Sequence, residues 1–493
     1  MSRTVESMKA RPVPCDRLYP VGLPAVIAGV SSVLLSPGVW AMDVLLSAYL
    51  LTTPERQGRT ALLRLWTCLK IGALLAMFLV CTPVSIIGAI LRMISGPFRR
   101  PFLYQTARSP TDTRTANATD PADFTVATAN VCLLPESFSR INNQRHTKWR
   151  VTEVGRRVVD SQKQQSDKRT LETSSHGPNE EFLSSVDSTF PPNVDVFCFQ
   201  EVFYSDVSRK LTKELLKCYG HVISDVGICS FTNGWGLNSG LLIASKHPIL
   251  AADFKPFRVK TGKHEVIAAK GLLMVKIHLG TRDGRDVVGY VATTHLQSYQ
   301  GKQPIQTTQL TLMQTWLQEF RLSTKTGNET VVIDVVCGDF NFDNMSPGYK
   351  ASWTHPLLDV YQDVCSLQKG RDKPWTIGTE MRQVVLYDEA ISTPERMAAT
   401  LRQRHLQGRY LLDATIQNPT IDMVWEVEEE AVRLDEDDVP ETSGRVRVDK
   451  VLYRTDSLGG ECTVTPVGYR SVTQFAGLTD HVSVCLTFRM GRK

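Results

Sequence analysis

Apolar positions are spread unevenly along the chain. Near the N-terminus they form two uncharged runs, residues 18–42 and 71–91. A hydrocarbon core of about 30 Å is crossed by about 20 apolar helical residues, so each run is long enough to span. Helices of soluble proteins are rarely apolar all round over that length. Residues 1–95 are therefore expected to attach the chain to a membrane. Pro24, Pro37 and Pro83 interrupt the runs, so spanning helices and re-entrant hairpins both fit the pattern.

The pattern then changes. Residues 96–122 are rich in Pro, Arg, Ser and Thr and read as a juxtamembrane linker. Over 123–493, short β-branched runs recur: TVATANVCLL, VDVFCFQEV, SGLLIAS, GLLMVKIHLG, DVVGYVATTHL, VVIDVVCGDF, RVDKVLYR and HVSVCLTFRM. Helical spacing appears at 144–159 and 307–322, and the polar stretch 160–192 reads as a mobile insertion. Many strands with a few helices predict an α/β sheet core covered by helices. Gly338 is expected to end the strand VVIDVVCGDF.

Composition narrows the class. The chain has 493 residues, 42% of them hydrophobic and 22% charged, which suffices for a sizeable core. A net charge of +5 is too small for this length to indicate a nucleic-acid partner. Eleven cysteines without CxxC spacing fit neither a disulfide framework nor a zinc site. Basic residues flank both apolar runs, among them Arg3, Lys9, Arg11, Arg56, Arg92, Arg99 and Arg100, so charge does not fix an orientation. They do suit an anionic membrane surface, where each contributes about 1 kcal/mol. The acidic stretch 425–441 reads as a solvated loop.

Five strand-like runs finish in polar groups that a core disfavours. These are Asn130, then Gln200 and Glu201, then His295, then Asp339 and Asn341, and finally Asp480 and His481 ahead of the last strand. Singly, each has an ordinary explanation as a cap, a turn or a structural histidine. Together they matter, because strand ends on one side of a sheet converge, and α/β ligand sites are built there. The residue types fit one chemistry. Glu201 with Asn130 suits Mg²⁺, a hard cation that takes one or two carboxylates and keeps water and phosphate in its shell. A histidine beside a carboxylate makes a general base for water. Asp339 and Asn341 would face the phosphate, Asn341 through its amide NH₂. Asp343 has no evident partner and reads as structural. No Ser or Cys lies in a G-x-S-x-G setting, so direct attack by water is preferred to a covalent intermediate.

The ordered stretches TANVCLLPE, FCFQEVF, NSGLLIASKHPI, TTHLQS, CGDFNFD, RVDKVLYR and GLTDHVSV resemble the DNase-I-like endonuclease/exonuclease/phosphatase superfamily, over about residues 124–490. With the two apolar runs, the chain is similar to the membrane-attached neutral sphingomyelinases, and to their mitochondria-associated branch. The resemblance implies a four-layer α/β sandwich and a Mg²⁺-dependent hydrolysis of sphingomyelin to ceramide and phosphocholine, with Mn²⁺ as a substitute ion. It implies Glu201 as principal metal ligand with Asn130 beside it, His481 as base, and Asp449 as the carboxylate that orients the base. Asp480 would lie near metal and phosphate, Asp339 and Asn341 would stabilise the transition state, and His295 would contact phosphate. Lys450 departs from the Tyr of many relatives and is expected at the pocket rim. Lys270 resembles a regulatory-loop lysine, although its plainer reading is a solvated strand-end lysine. Membrane sphingomyelin as substrate, activation by anionic phospholipids through Arg92, Arg99 and Arg100, and a mitochondrial or, second, endoplasmic-reticulum membrane follow from the same likeness. A phosphoinositide phosphatase and an inactive membrane scaffold remain the alternatives.

Overall fold

Alternation along the strands sorts side chains to two faces, and the fold follows from that sorting. The computed structural model describes residues 15–58, 60–107, 123–163, 182–229, 237–258, 268–298, 305–417, 439–456 and 462–492. The basic start at 1–14, most of the expected insertion and most of the acidic stretch lie outside the described residues.

The strands are β1 (Leu103–Thr106), β2 (Asp123–Leu133), β3 (Leu183–Asp187), β4 (Val196–Val202), β5 (His221–Ser224), β6 (Leu242–Ser245), β7 (Ile249–Pro256) and β8 (Gly271–Arg282). They continue with β9 (Arg285–His295), β10 (Glu329–Asp339), β11 (Gln362–Asp363), β12 (Ser366–Gln368), β13 (Arg371–Asp372), β14 (Asp449–Tyr453), β15 (Cys462–Val472) and β16 (Ser483–Arg492). One mixed sheet has the order β1-β5-β6-β4-β2-β16-β15-β3, and the second has the order β11-β14-β10-β9-β8-β7. Among the described residues, β12 and β13 pair only with each other.

The period of two decides what each strand buries. On β4, Val196 and Cys198 point between the sheets, while Phe197 and Phe199 point outward. On β10, Val335 and Cys337 face inward and Val336 outward. The outer face of the first sheet is covered by Val151, Val154 and Val158 of one helix and Val207 and Leu211 of another. Leu310, Met313 and Leu317 cover the second sheet. The layers are thus helix, sheet, sheet, helix, the expected sandwich. Each fully buried Val, Leu or Phe contributes about 1.5–3 kcal/mol, so three continuous clusters hold the layers together.

The N-terminal runs form helices α1 (Leu23–Tyr49) and α3 (Ala61–Ser95), joined by the short α2 (Thr53–Gln57). At 1.5 Å per residue they are about 40 and 52 Å long, and both are long and apolar enough to cross a membrane. They pack antiparallel where small residues allow close approach. Gly38 lies against Ser85, Gly88 lies against Leu34 and Leu35, and the Ser31 hydroxyl donates to the Gly88 carbonyl at 2.8 Å. The outer faces expose Val26, Val33, Trp40, Leu65, Trp66 and Leu79.

Both ends of this hairpin are fastened to the sandwich. At the tip, Asp43 accepts from the backbone N–H and hydroxyl of Ser137 at 2.9 and 2.7 Å. Glu55 pairs with Arg140 at 2.6 Å, and the Thr53 N–H donates to Asn143 at 2.8 Å. At the open end, the buried Arg99 pairs with Asp225 at 3.2 Å and donates to the Gly227 carbonyl. Arg99 is thereby spent on the protein itself and does not present the free lipid-facing charge expected of it.

Three other expectations change. The stretch 96–122 is more than a linker, since β1 pairs antiparallel with β5 at the sheet edge. Residues 160–192 are not all insertion, because a helix runs to Lys163 and β3 pairs parallel with β15. Gly338 does not end its strand. β10 continues through it to Asp339, and glycine is required there both by the φ of 135° and by the close approach of β9, where a Cβ would overlap the Thr294 carbonyl oxygen.

Candidate active site

That close approach of β9 and β10 fixes the register from which the site is built. Asp339 stands beside His295 of β9 on one side and beside Asp449 of β14 on the other, so three adjacent strands present His, Asp and Asp at one level. The first sheet supplies Asn130 of β2, paired in register with Gln200 of β4, and Glu201 follows. Gln200 joins the sheets below the site, accepting from Thr128 at 3.1 Å and donating to Thr293 at 3.0 Å. Above it, Asn130 Nδ2 donates to Asp339 Oδ2 at 2.9 Å. Glu201 and Asn341 take positive φ values of 64° and 50°. Non-glycine residues held there carry about 1–3 kcal/mol of strain, a concentration typical of functional strand ends.

His481 Nδ1 lies 2.8 Å from Asp449 Oδ2, and its Nε2 lies 3.4 Å from Asn130 Nδ2. An amide NH₂ only donates, so it meets the ring's lone pair when the proton sits on Nδ1. Asp449 is itself set by Thr379, whose hydroxyl oxygen accepts from the Val448 and Asp449 N–H groups at 3.0 Å each. Burial works against charge on His481, but Asp449, Asp339 and Asp480 overcome it and raise its pKa well above the ordinary imidazole range.

His295 is different. Its Nε2 lies 3.2 Å from Lys270 Nζ, which can only donate, and 3.5 Å from Asp339 Oδ2. Burial and then Lys270 push its pKa down to about 3, so it stays neutral. Lys270 is neither solvated nor at the surface. It is buried, and it also donates to the Leu296 carbonyl at 3.0 Å.

The acidic groups outnumber the cations near them. Burial, then Asp480, raises the Glu201 carboxyl to about 7, with His481 opposing. Among the described residues, buried oxygens of Glu201 (Oε2), Asp449 (Oδ1) and Asp480 (Oδ1) have no hydrogen-bond donor. Unpaired buried carboxylate oxygens are costly, and a hard divalent cation satisfies them. The donor set therefore fits Mg²⁺ or a similar ion around Glu201. Asp339, Asp449 and His481 also come within 4.8 Å of one another, although the Asp449–His481 bond already occupies one atom of each.

The structure brings Asn130, Glu201, His295, Asp339, Asn341, Asp449, Asp480 and His481 to this one end. Two placements differ in detail from expectation. Asn341 Nδ2 donates to the Leu296 carbonyl at 3.1 Å, so part of its amide is spent on the loop. Lys450 is fully buried away from any rim, donating to Asn344 Oδ1 at 3.2 Å and to the Arg447 carbonyl at 2.8 Å. Asp343 accepts from the Met345 and Ser346 N–H groups and shapes the turn. One acidic residue escaped the sequence reading altogether: Glu380, bridged to His481 through the backbone. Burial, and then Asp339, Asp480 and Asp449 against His481, push its carboxyl up to about 8. No strand pattern flags it, because TIGTEMRQ lacks apolar alternation.

Residues 169–481 match the model of the Endonuclease/Exonuclease/phosphatase family. Sphingomyelin phosphodiesterase 5 of Danio rerio is 33% identical over 558 residues, covering 97% of this chain and 98% of that protein. The protein of the same name from Mus musculus is 31% identical over 487 residues, covering 96% and 93%. Sphingomyelin phosphodiesterase 3 of Homo sapiens is 35% identical over 321 residues, covering 63% of this chain and 46% of its own length.

Proposed function

Because the chain belongs to the endonuclease/exonuclease/phosphatase family, among its sphingomyelin phosphodiesterases, we propose that it hydrolyses membrane sphingomyelin to ceramide and phosphocholine at the site around His481. The observation that carries this reading is the His481–Asp449 pair at 2.8 Å, set against a cluster of underpaired carboxylates. Asp449 holds the Nδ1 proton, which leaves Nε2 to take a proton from the attacking water. Glu201, with Asn130 beside it, would hold Mg²⁺ or Mn²⁺, which supplies charge to the phosphoryl oxygens. Compensation of the acidic cluster also lowers the pKa of His481 toward neutrality, and a base must be unprotonated to act. Asp339, oriented by Asn130 and the Asn341 N–H, lies where it can steer the leaving oxygen, and Lys270 with neutral His295 offers N–H donors to a phosphate.

The membrane enters through the hairpin. A spanning arrangement would carry the tip around residue 55 across about 30 Å of hydrocarbon from the sandwich. Instead the tip is bonded to Ser137, Arg140 and Asn143. We read α1 and α3 as lying in one leaflet, their exposed apolar side in the lipid, so that substrate reaches the site within the membrane plane. Arg92 and the exposed Arg100 are the residues we assign to anionic phospholipids as activators. The mitochondrial membrane is the location we assign, ahead of the endoplasmic reticulum, on the resemblance to the mitochondria-associated branch.

Phosphocholine release from sphingomyelin vesicles, with and without Mg²⁺, tests the function. Release that requires the metal is the expected result. Orthophosphate release from phosphoinositide vesicles without any phosphocholine would overturn it.

A further inference from the structure

The segment carrying Glu380 is stitched to the segment carrying His481. Met381 N–H donates to the Asp480 carbonyl at 2.9 Å, and Val482 N–H donates to the Thr379 carbonyl at 2.8 Å. Those two bonds flank the antiparallel bridge between Glu380 and His481 and make it a non-hydrogen-bonded pair. In such a pair the Cα atoms lie about 4.5 Å apart and both side chains leave on the same face. The Glu380 carboxylate is therefore delivered to the side of the sheet on which the His481 imidazole works.

Its backbone is held on the other edge too, by Glu380 N–H to the Val446 carbonyl at 3.2 Å and by Leu412 N–H to its own carbonyl at 3.0 Å. The side chain is half-buried and has no hydrogen-bond or ion-pair partner among the described residues. Asp339, Asp480 and Asp449 set like charge against it, and His481 opposes them. Fixed in that position, half-buried and without a hydrogen-bond or ion-pair partner among the described residues, the group holds its proton up to about pH 8, and a cation from outside the protein docking beside it would favour the carboxylate and release that proton.

We propose that Glu380 is a specificity-determining residue that receives the quaternary ammonium of the substrate head group. The inference rests on the sphingomyelin reading above. The only cationic group of that substrate is the trimethylammonium, two methylenes beyond the phosphate ester oxygen. It has no N–H and asks for no hydrogen-bond geometry, so a bare carboxylate beside the base suits it. Mg²⁺ is a weaker occupant. It takes one or two protein carboxylates, and the buried unpartnered oxygens of Glu201 and Asp480 already offer these.

The experiment uses the full chain in mixed micelles with short-chain sphingomyelin and with its analogue in which a tert-butyl group replaces the trimethylammonium. The wild-type protein should prefer the cationic substrate in kcat/KM by about tenfold, the equivalent of about 1.4 kcal/mol. In Glu380→Gln that ratio should collapse toward one, chiefly through a higher KM for the cationic substrate, and Glu380→Asp should restore part of it. Competition on the wild-type protein gives a second readout that no folding defect can disturb. Phosphocholine should inhibit about tenfold better than 3,3-dimethylbutyl phosphate. A ratio unchanged in Glu380→Gln, equal inhibition by the two phosphates, or a displaced Mg²⁺ titration in the variant would overturn the assignment. A wild-type protein that turns over neither substrate would instead bring down the sphingomyelin reading, and this inference with it.

Discussion

Asp449 holds His481 through one carboxylate oxygen at 2.8 Å, and its other oxygen is buried with no donor among the described residues. The pair is thus a charge relation as well as a hydrogen bond. Asp449→Asn would keep an acceptor for the Nδ1 proton and lose the charge that supports the imidazolium. We expect kcat to fall by about 10²- to 10⁴-fold with the melting temperature little changed. The acid limb of the pH–rate profile should move to lower pH, because Asp449 is among the groups that raise His481. His481→Ala should abolish turnover; near-normal rates in that variant would remove it as the base.

Glu201 gives a metal prediction with a defined sign. Its carboxyl is raised from the ordinary 4.5 to about 7 by burial and Asp480. Without metal, the folded protein holds this proton more tightly than the unfolded chain does, so the share of stability that Glu201 contributes should decline as pH rises from 4.5 to about 7. Chelated protein followed by thermal melting across this window tests the slope. Glu201→Gln should flatten it, and Mg²⁺ should restore stability to the wild-type protein at neutral pH while doing little for the variant. An unchanged metal titration in Glu201→Gln would remove the residue as a ligand.

These two predictions involve residues that the sequence made visible, and the reason is physical. Asn130, Glu201, His295, Asp339 and His481 each sit where a strongly apolar strand meets a polar group, a contrast that survives without coordinates. Glu380 has no such contrast, since its position comes from an isolated bridge between two loops distant in sequence. Lys270 misled because a lysine at a strand end is ordinarily solvated, and only the approach of His295 and Leu296 buries it. β1 and β3 are short edge strands whose pairing partners lie over a hundred residues away, so local pattern could not reveal them. Arg99 looked like a lipid contact because a basic flank says nothing about an acidic partner such as Asp225.

The hairpin contacts yield a third expectation. Arg140 bridges the tip to the sandwich, pairing with Glu55 at 2.6 Å and donating to the Leu50 carbonyl at 3.1 Å. Both partners are largely shielded, so Arg140→Ala should cost about 1–3 kcal/mol of the tip's attachment. Amide exchange across α2 and at 142–143 should rise while the sheet core stays protected. The neighbouring Asn143 side chain donates to the Gln383 carbonyl at 2.7 Å, and Gln383 donates to Asp480 at 3.3 Å. Loosening the tip should therefore also lower the rate on vesicles, and unchanged exchange at α2 would count against the clamp.

Gly338 carries the last prediction, because the whole row His295–Asp339–Asp449 depends on how closely β9 and β10 approach there. Its φ of 135° is one that side-chain-bearing residues rarely adopt, and a Cβ would overlap the Thr294 carbonyl. Gly338→Ala should destabilise by about 2–4 kcal/mol, combining backbone strain with overpacking. Gly327, ahead of the same strand, has open space around its Cβ position and no positive φ, so Gly327→Ala is the matched control and should be close to neutral. Equal losses in the two variants would mean that loop entropy and not the clash is responsible. Where Gly338→Ala still folds, relief of the overlap must push β10 away from β9 and carry Asp339 out of line with His295. Its rate, measured well below its melting temperature, should then fall further than the loss of folded protein explains.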